Sequence, residues 1–231
     1  MTVLDNHYSA HWDDKFRSRA WGRYPPEELV RFMGRNYANL SPNNRADIKV
    51  LEVGCGPGAN IWFLHREGFH VAGIDGSPTA IEQTANRLKA ENSSINHADL
   101  KAGDFSSLPW DDNTFDVVID IFAVYANPVK IIDKTIAEIH RVIKPGGFHF
   151  CKLWGTGCTG YGEGEELEPG TFDELSSGPC AGMGLSHFFT EMEIRQRYAI
   201  FDAILIDRIQ RSDSAKQAQI EEFACQFSKS G

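Results

Sequence analysis

The chain has 231 residues, of which 42% are hydrophobic and 24% charged, a composition typical of a folded globular protein. Its formal net charge of −9 argues against a general nucleic-acid binder or a binder of anionic membranes, because both ligands require clustered Lys and Arg. No stretch approaches the roughly 18 consecutive apolar residues of a membrane span, and the polar N-terminal segment lacks an apolar signal core, so we expect a cytoplasmic protein. The five cysteines are scattered without a Cys-x-x-Cys pair, which indicates reduced, structural thiols rather than disulfides or a zinc site.

Strand-like and helix-like segments alternate along the middle of the chain. Short apolar runs predict five strands at 48–53, 70–75, 100–104, 115–121 and 148–154. Helical spacing predicts helices at 59–67, 77–92, 127–143 and 190–199, the second with Ser77 as its N-cap. This alternation favours an α/β fold with a mainly parallel sheet and helices on both faces. Two further strand-like runs, 201–211 and 218–228, are joined by a short polar connection and predict an antiparallel hairpin at the sheet edge.

Two segments stand outside this alternation. Residues 1–47 precede the first strand and contain closely spaced aromatic and arginine side chains. Residues 155–187 contain nine of the chain's 21 glycines. Because a long segment of this kind inside a compact domain is usually functional or disordered, we expect both to cover a ligand site.

The first strand ends in a glycine-rich turn. Gly54, Gly56 and Gly58 allow the backbone to turn sharply, and the following helix offers free N–H groups to a ligand. The same turn satisfies the pattern G-x-G-x-x-A of a dinucleotide site, so an NAD-binding site must be weighed. Glu52 lies directly before the glycines, where its charge opposes a pyrophosphate but suits an ammonium or sulfonium group. This position disfavours NAD.

Carboxylates also follow the next two strands. Asp75 closes the second strand, where it can accept hydrogen bonds from two ribose hydroxyls. Asp104 and Phe105 follow the third strand, where a carboxylate can accept the adenine amino group and a ring can cover the base. These side chains predict a site for an adenosine-containing ligand.

Four ordered motifs carry a resemblance to a known family: VLEVGCGPGAN (50–60), GIDGSPTAI (73–81), GDFSSLPWDDNTFDVVID (103–120) and HRVIKPGG (140–147). They resemble the motifs of class I S-adenosylmethionine (SAM)-dependent methyltransferases, specifically the small-molecule "type 11" group. The resemblance implies a Rossmann-like, seven-stranded, mainly parallel sheet with helices on both faces and a C-terminal antiparallel hairpin. It also implies a SAM-binding methyltransferase domain over 48–231, with the motifs themselves matching roughly residues 48–154. From the residues outside this match we expect an N-terminal helical lid at 1–47, with an ordinary helix of core and surface positions as the alternative, and 155–187 as a glycine-rich acidic cap over the acceptor.

The resemblance further implies SAM as cofactor, S-adenosylhomocysteine (SAH) as product, no metal, and a small-molecule acceptor whose O, N or C atom receives the methyl group. A homodimer is also compatible with the sequence. The residues that would contact the cofactor in the core of the domain are Glu52, Gly54, Cys55, Gly56, Gly58, Asp75, Gly76, Ser77, Asp104, Phe105, Asp120 and Ile121. Those that would close over it from the N-terminal segment are Trp12, Arg19, Trp21 and Tyr24.

Candidates for the acceptor side are Tyr125 and His187 as catalytic residues, with Tyr161 beside them. Core packing is the alternative for each of them. Many relatives carry a His-His pair after the fourth strand, whereas this chain has FAVYAN at 122–127, which argues against histidine catalysis from that loop. His7 and His11 have the spacing of a metal-binding pair, but an exposed helix face is favoured because no third ligand is evident.

Two other functions stay open from the sequence alone. One is a non-catalytic SAM-binding module, because a fold can keep its pocket without activity. The other is an NAD-dependent oxidoreductase, which Glu52 and the lack of a hydride-transfer pair disfavour. The charge distribution adds a hypothesis about the acceptor: residues 153–194 contain eight acids and no Lys or Arg, nearly the whole net charge. Either the acceptor is neutral or cationic, or this segment is simply an acidic, solvated surface.

Overall fold

The computed structural model of the protein describes residues 10–91 and 98–231. Its helices are α1 (Ala10–Ser18), α2 (Glu27–Tyr37), α3 (Pro42–Arg45), α4 (Ala59–Arg66), α5 (Pro78–Glu91), α6 (Val129–Val142) and α7 (Glu191–Arg197). Its strands are β1 (Lys49–Val53), β2 (His70–Asp75), β3 (Ala98–Ala102), β4 (Phe115–Ile121), β5 (Ile143–Trp154), β6 (Glu165–Glu168), β7 (Thr171–Asp173), β8 (Ser186–His187), β9 (Ala203–Asp213) and β10 (Ala218–Ser228).

Seven strands form the main sheet in the order β3-β2-β1-β4-β5-β10-β9. The first five strands are mutually parallel, whereas β10 runs antiparallel to both β5 and β9. The predicted Rossmann-like sheet and its C-terminal hairpin are therefore confirmed. Strand order reverses between β1 and β4, and in open sheets of this kind ligands bind beyond the carboxyl ends of the strands at such a reversal.

Helices cover both faces of the sheet. Helices α2, α4 and α5 pack against one face, and α6 and α7 against the other, each through a cluster of buried apolar side chains. Helix α6 is the most strongly amphipathic, with Ile132, Ile136 and Ile139 buried on one side as its spacing predicts. The five cysteines are free thiols and all are buried, which fits the structural role expected of them. Within the two described ranges, none of the helices combines the length and apolar character needed to cross a bilayer.

The third strand lies two residues earlier than the sequence predicts. Strand β3 spans Ala98–Ala102 and pairs with β2 from Val71 to Asp75, after which the chain turns at Gly103. Every residue of β3 is at least partly exposed, because this strand forms an edge of the sheet. It therefore lacks the buried apolar run that marks the central strands. The predicted C-terminal end of the preceding helix, residue 92, lies outside the described residues.

The N-terminal segment divides into parts with different surroundings. Residues 1–9 lie outside the described part of the chain. Helix α1 lies at the ligand-binding edge of the sheet, as described below. Helix α2 instead packs on the sheet through Leu29, Phe32 and Met33, and the Phe32 ring stacks on Phe150 with 4.8 Å between ring centroids. Only part of the segment predicted as a lid thus faces the ligand side.

The glycine-rich insert contains a small sheet that the sequence does not predict. Strands β6, β7 and β8 form a three-stranded antiparallel sheet, but they are only two to four residues long. Runs this short carry no recognisable periodicity. The insert also joins the main domain, because Glu168 accepts a 2.6 Å hydrogen bond from the backbone N–H of Val129, the first residue of α6. Pro128 at the N-cap position of α6 has no side-chain oxygen to do this.

We expect Glu168→Ala to lower the free energy of unfolding by about 1 kcal/mol, because it removes the partner of a free N–H group at a helix N-terminus. Urea denaturation followed by circular dichroism measures the change. Glu165→Ala is the matched control, since Glu165 is exposed in the same small sheet. An equal loss of stability in both variants would show that Glu168 does not cap α6.

Candidate functional site

A cavity of about 590 Å³ lies at the carboxyl ends of β1, β2, β4 and β5. This volume falls within the usual range of small-molecule sites. The predicted site residues that line it are Trp12, Arg19, Trp21, Tyr24, Glu52, Gly54, Cys55, Gly56, Asp75, Gly76, Phe105, Ile121 and Tyr125. The structure thus gathers residues of α1, β1, β2 and β4, and of the loops that follow these elements and β3, around one space.

The glycine turn forms the floor of one half of this cavity. Gly54, Gly56 and Gly58 have φ angles of 63°, 50° and 77°, in the left-handed region that glycine adopts without strain. A side chain at Gly54 would clash with Ala123, so the close approach of the two loops also requires glycine there. Gly58 is the N-cap residue of α4 and does not line the cavity; a side chain there would clash with Thr84.

Asp75 holds this turn in place. One carboxylate oxygen accepts a 2.8 Å hydrogen bond from the Gly56 N–H, and the other accepts a 2.8 Å bond from the Ser77 N–H. Burial of the side chain raises the pKa of Asp75 to about 6. A carboxylate oxygen can accept more than one hydrogen bond, so both oxygens of Asp75 retain capacity toward a ligand diol. Ser77 itself caps α5, accepting a 3.1 Å bond from the Ala80 N–H, and does not line the cavity.

Glu52 offers a second acceptor on the floor. One of its carboxylate oxygens accepts a 2.6 Å hydrogen bond from the Asn60 side-chain amide. Its other oxygen and the Asn60 amide oxygen are buried, and neither has a partner within the described chain. Because burial raises the pKa of Glu52 well above its usual range, a cationic donor reaching these oxygens would stabilise the ionised form. The pair fits a positively charged amino group.

The next two acidic candidates lie behind the cavity wall. Asp104 accepts hydrogen bonds from the N–H and hydroxyl of Ser106 at 2.8 and 3.0 Å, and it does not line the cavity, whereas the adjacent Phe105 ring does. Asp120 is fully buried beneath the turn after β4, where one oxygen accepts bonds from the N–H groups of Ala123 and Val124 at 2.9 and 3.2 Å. In this conformation both carboxylates order loops rather than contact the cavity.

The roof comes from α1 and the residues after it. The rings of Trp12, Phe16 and Trp21 pack together with centroids 5.2–5.9 Å apart, and the Arg19 guanidinium lies 4.7 Å from the Trp21 ring centroid. Asp13 anchors the helix to the start of α5, where it accepts hydrogen bonds from the Ser77 hydroxyl and the Thr79 N–H.

The roof also touches the insert. Lys15 donates a 2.6 Å hydrogen bond to the Gly182 carbonyl, His11 Nε2 lies 3.0 Å from the Met183 carbonyl oxygen, and Arg19 donates to the Met183 sulfur at 3.2 Å. His7 lies outside the described residues, and no group of three potential metal ligands occurs in the described part of the chain. His11 thus serves the contact between α1 and the insert.

The second half of the cavity has aromatic walls. Phe122 stacks on Trp154 with 3.9 Å between centroids and 15° between ring planes, and Tyr125 meets Trp154 edge to face at 6.3 Å. Tyr125 is buried, and burial raises the pKa of its phenol far above the usual range. The phenol therefore stays protonated and can donate a hydrogen bond, but it is not a base near neutral pH.

His187 and Tyr161 lie away from this cavity. His187 is fully buried in β8, with Nδ1 2.7 Å from the Thr171 hydroxyl and Nε2 3.0 Å from a Glu193 carboxylate oxygen. Both ring nitrogens are occupied within the insert and α7. Tyr161 lines a separate, more open cleft beside Phe188 and Arg197. The structure therefore does not bring either residue to the glycine turn.

Several lining residues were not foreseen from the sequence: Phe16, Asn60, Phe122, Trp154, Pro179, Met183 and Lys216. The aromatic positions among them carry no motif, and the insert and hairpin residues reach the cavity only through the fold. Asn60 could have been predicted, because it lies in the first turn of α4, two residues after the last glycine of the turn.

Comparison with known proteins bears on this site. Residues 50–147 match a family model described as a methyltransferase domain. An uncharacterized methyltransferase of Schizosaccharomyces pombe is 33% identical over 157 residues, covering 64% of this chain and 52% of the relative. The match covers 40% and 35% of the length of two other curated relatives. The chain thus spans about half, or less, of the length of these three relatives.

Solved structures show the same fold over nearly the whole chain. A SAM-dependent methyltransferase from Methanosarcina mazei has a TM-score of 0.63 at 22% identity, covering 83% of this chain and 99% of that one. The 1,6-didemethyltoxoflavin-N1-methyltransferase of Burkholderia thailandensis, solved with its acceptor and SAH, has a TM-score of 0.63 at 16% identity, covering 100% and 92%. The chain therefore has the fold of these structures, and its residues 50–147 are similar to a methyltransferase domain.

Asp120 provides a pH-dependent test of this geometry. Burial raises its pKa to about 7, so between about pH 4 and pH 7 the folded protein binds a proton that the unfolded chain has lost. The free energy of unfolding contributed by this group therefore falls as pH rises through that range. Asp120→Asn keeps an oxygen for the Ala123 and Val124 N–H groups but carries no charge. We expect its stability relative to wild type to increase from pH 4 to pH 7 and then level off.

Chemical denaturation at a series of pH values measures this difference. Asp47→Asn, at an exposed position before β1, is the control and should show no such trend. A stability difference between Asp120→Asn and wild type that is independent of pH would contradict the assignment.

Proposed function

We propose that this protein transfers the methyl group of SAM to a small-molecule acceptor. The observation that carries the proposal is the pairing of two carboxylates around one glycine turn: Asp75, with capacity for a ribose diol, and Glu52, with a buried oxygen suited to an ammonium group. A dinucleotide pyrophosphate would instead lie beside the buried Glu52 oxygen without a hydrogen-bond donor to offer it. The methyltransferase family match and the SAH-bound structural relative support this assignment.

The chain's own residues would supply binding, orientation and exclusion of water. Gly54, Cys55 and Gly56 would cradle the amino-acid portion of SAM, Asp75 the ribose, and Phe105 and Ile121 the adenine and the region of the sulfonium. SAM supplies a methyl group on a sulfonium, whose displacement needs mainly alignment of donor and acceptor. Tyr125 would orient the acceptor by donating a hydrogen bond, and His187 would stabilise the insert.

The cofactor assignment is tested by Asp75→Ala. We expect the affinity for SAH, measured by calorimetric titration, to fall at least tenfold, because the variant loses a ligand contact and the partner of the Gly56 N–H. Asp47→Ala, at the opposite end of the parallel strands, should bind SAH like wild type. Binding of NADH without binding of SAH would overturn the proposal, and binding of SAH without methyl transfer to any acceptor in a labelled-SAM assay would favour a non-catalytic module.

We also propose that α1 acts as the lid over the cofactor half. The support is its position over the glycine turn and its attachment through Asp13 to the start of α5. We expect Asp13→Ala to raise the SAH dissociation rate several-fold, measured by stopped-flow fluorescence. Asp14→Ala, on the same helix but without these bonds, is the matched control. Equal dissociation rates in the two variants would argue that α1 does not retain the cofactor.

A further inference from the structure

The cavity is divided into two halves with different electrostatic character. The half over β1 and β2 contains Glu52 and Asp75, which are the acidic side chains that line the cavity in the described part of the chain. The half over β4, β5 and the tip of the hairpin contains aromatic rings and the basic Lys216, while Arg19 lies in the roof. Since the proposed function assigns the first half to SAM, the second half is left for the acceptor.

A flat aromatic wall bounds the acceptor half of the cavity, and the backbone is strained at one of its residues. Phe122 has a φ of 55°, in the left-handed region that a bulky residue rarely occupies, so its backbone is strained. Two contacts hold it there: its N–H donates to the Lys152 carbonyl at 3.2 Å, and Asp120 binds the two N–H groups that follow. The result is the parallel stack of Phe122 on Trp154 at the cavity wall. A wall of stacked rings favours planar ligands.

The acidic side chains of the insert and of the start of α7 do not line this half of the cavity. None of the eight acids in residues 153–194 lines the cavity. Glu168 caps α6, Glu163 accepts hydrogen bonds from Ser176 and Ser177, and Glu193 pairs with His187 and Arg197. The insert residues that do line the cavity are Gly178, Pro179, Ala181 and Met183, which are all uncharged. The acidic character of the insert therefore does not select a cationic acceptor.

Lys216 supplies the charge at the rim of the acceptor half. It lies in the tight connection between β9 and β10, fixed by a 3.1 Å hydrogen bond from its own N–H to the Asp213 carboxylate. No carboxylate pairs with its ammonium group among the salt bridges of the described chain, whereas Lys152 is fully engaged by Glu28 and Glu222. An exposed, unpaired ammonium at the mouth of an aromatic slot attracts anions.

We propose that the acceptor is a planar aromatic or conjugated acid, held between the Phe122–Trp154 wall and the roof, and that Lys216 is the residue that selects its anionic group. This inference rests on the proposed function, because it assigns the other half of the cavity to SAM. Among the described residues no carboxylate lines this half, so none opposes the anionic group of the acceptor.

The probes for this proposal are three compounds of one shape: 2-naphthoate, the neutral 2-naphthamide and the cationic 2-naphthylmethylammonium. Each is titrated against the full chain in the presence of saturating SAH, with tryptophan fluorescence and calorimetry as readouts. We expect 2-naphthoate to bind most tightly. We expect Lys216→Ala to weaken 2-naphthoate about fivefold and Lys216→Glu more, with 2-naphthamide unchanged. The salt dependence of 2-naphthoate binding should decrease in both variants.

Lys49→Ala, at an exposed position at the start of β1 and so at the opposite end of the parallel strands from the cavity, is the matched control and should behave like wild type. Phe122→Ala should weaken 2-naphthoate and 2-naphthamide alike, because it removes the wall and leaves the charge. Tighter binding of the cationic probe, or equal effects of Lys216→Ala on the charged and neutral probes, would overturn the proposal. Binding of SAH without binding of 2-naphthoate would overturn this inference alone, whereas failure to bind SAH would overturn the proposed function.

Discussion

The carboxylate of Asp75 joins three parts of the molecule that are separate in the sequence. It ends β2, it receives the N–H of Gly56 from the turn after β1, and it receives the N–H of Ser77 at the start of α5. The hydroxyl of Ser77 then donates to Asp13 of α1. A single acidic side chain thereby fixes the floor, one wall and, through one intermediate residue, the roof of the site. Its burial is tolerated because each oxygen has a backbone donor.

The elements nearest this carboxylate are those that the sequence predicts well. The glycine turn, β1, β2 and α4 depend on residues within about 30 positions of one another, and their geometry follows from local rules for strands, glycine and helix starts. The hairpin is also predicted correctly, because two strand-like runs joined by a short polar connection can pair only as antiparallel strands. Asp75 and Glu52 lie where these local rules place them, at the ends of adjacent parallel strands.

The rest of the site depends on contacts between distant parts of the chain. Asp104 and Asp120 lie at the carboxyl ends of strands just as Asp75 does. Each of the two, however, accepts hydrogen bonds from N–H or hydroxyl groups of the loop beside it, which hydrophobic periodicity does not predict. His187 carries the residue type of a catalyst but is enclosed by Thr171 and Glu193. The acidic insert likewise has a composition that suggests a ligand-facing surface, but none of its carboxylates lines the cavity, and Glu168 instead caps α6. In each case the sequence shows the residue type, but not which groups the side chain contacts in the fold.

The contacts of α1 have a consequence for the order of events as the protein is made. His11 meets a backbone carbonyl 172 positions further along the chain, and Lys15 one 167 positions away. A ribosome therefore releases this helix long before Gly182 and Met183, although its partners on α5 emerge much earlier. The cavity is complete only when α1 has docked on both α5 and the insert, two parts of the chain that are far apart in the sequence.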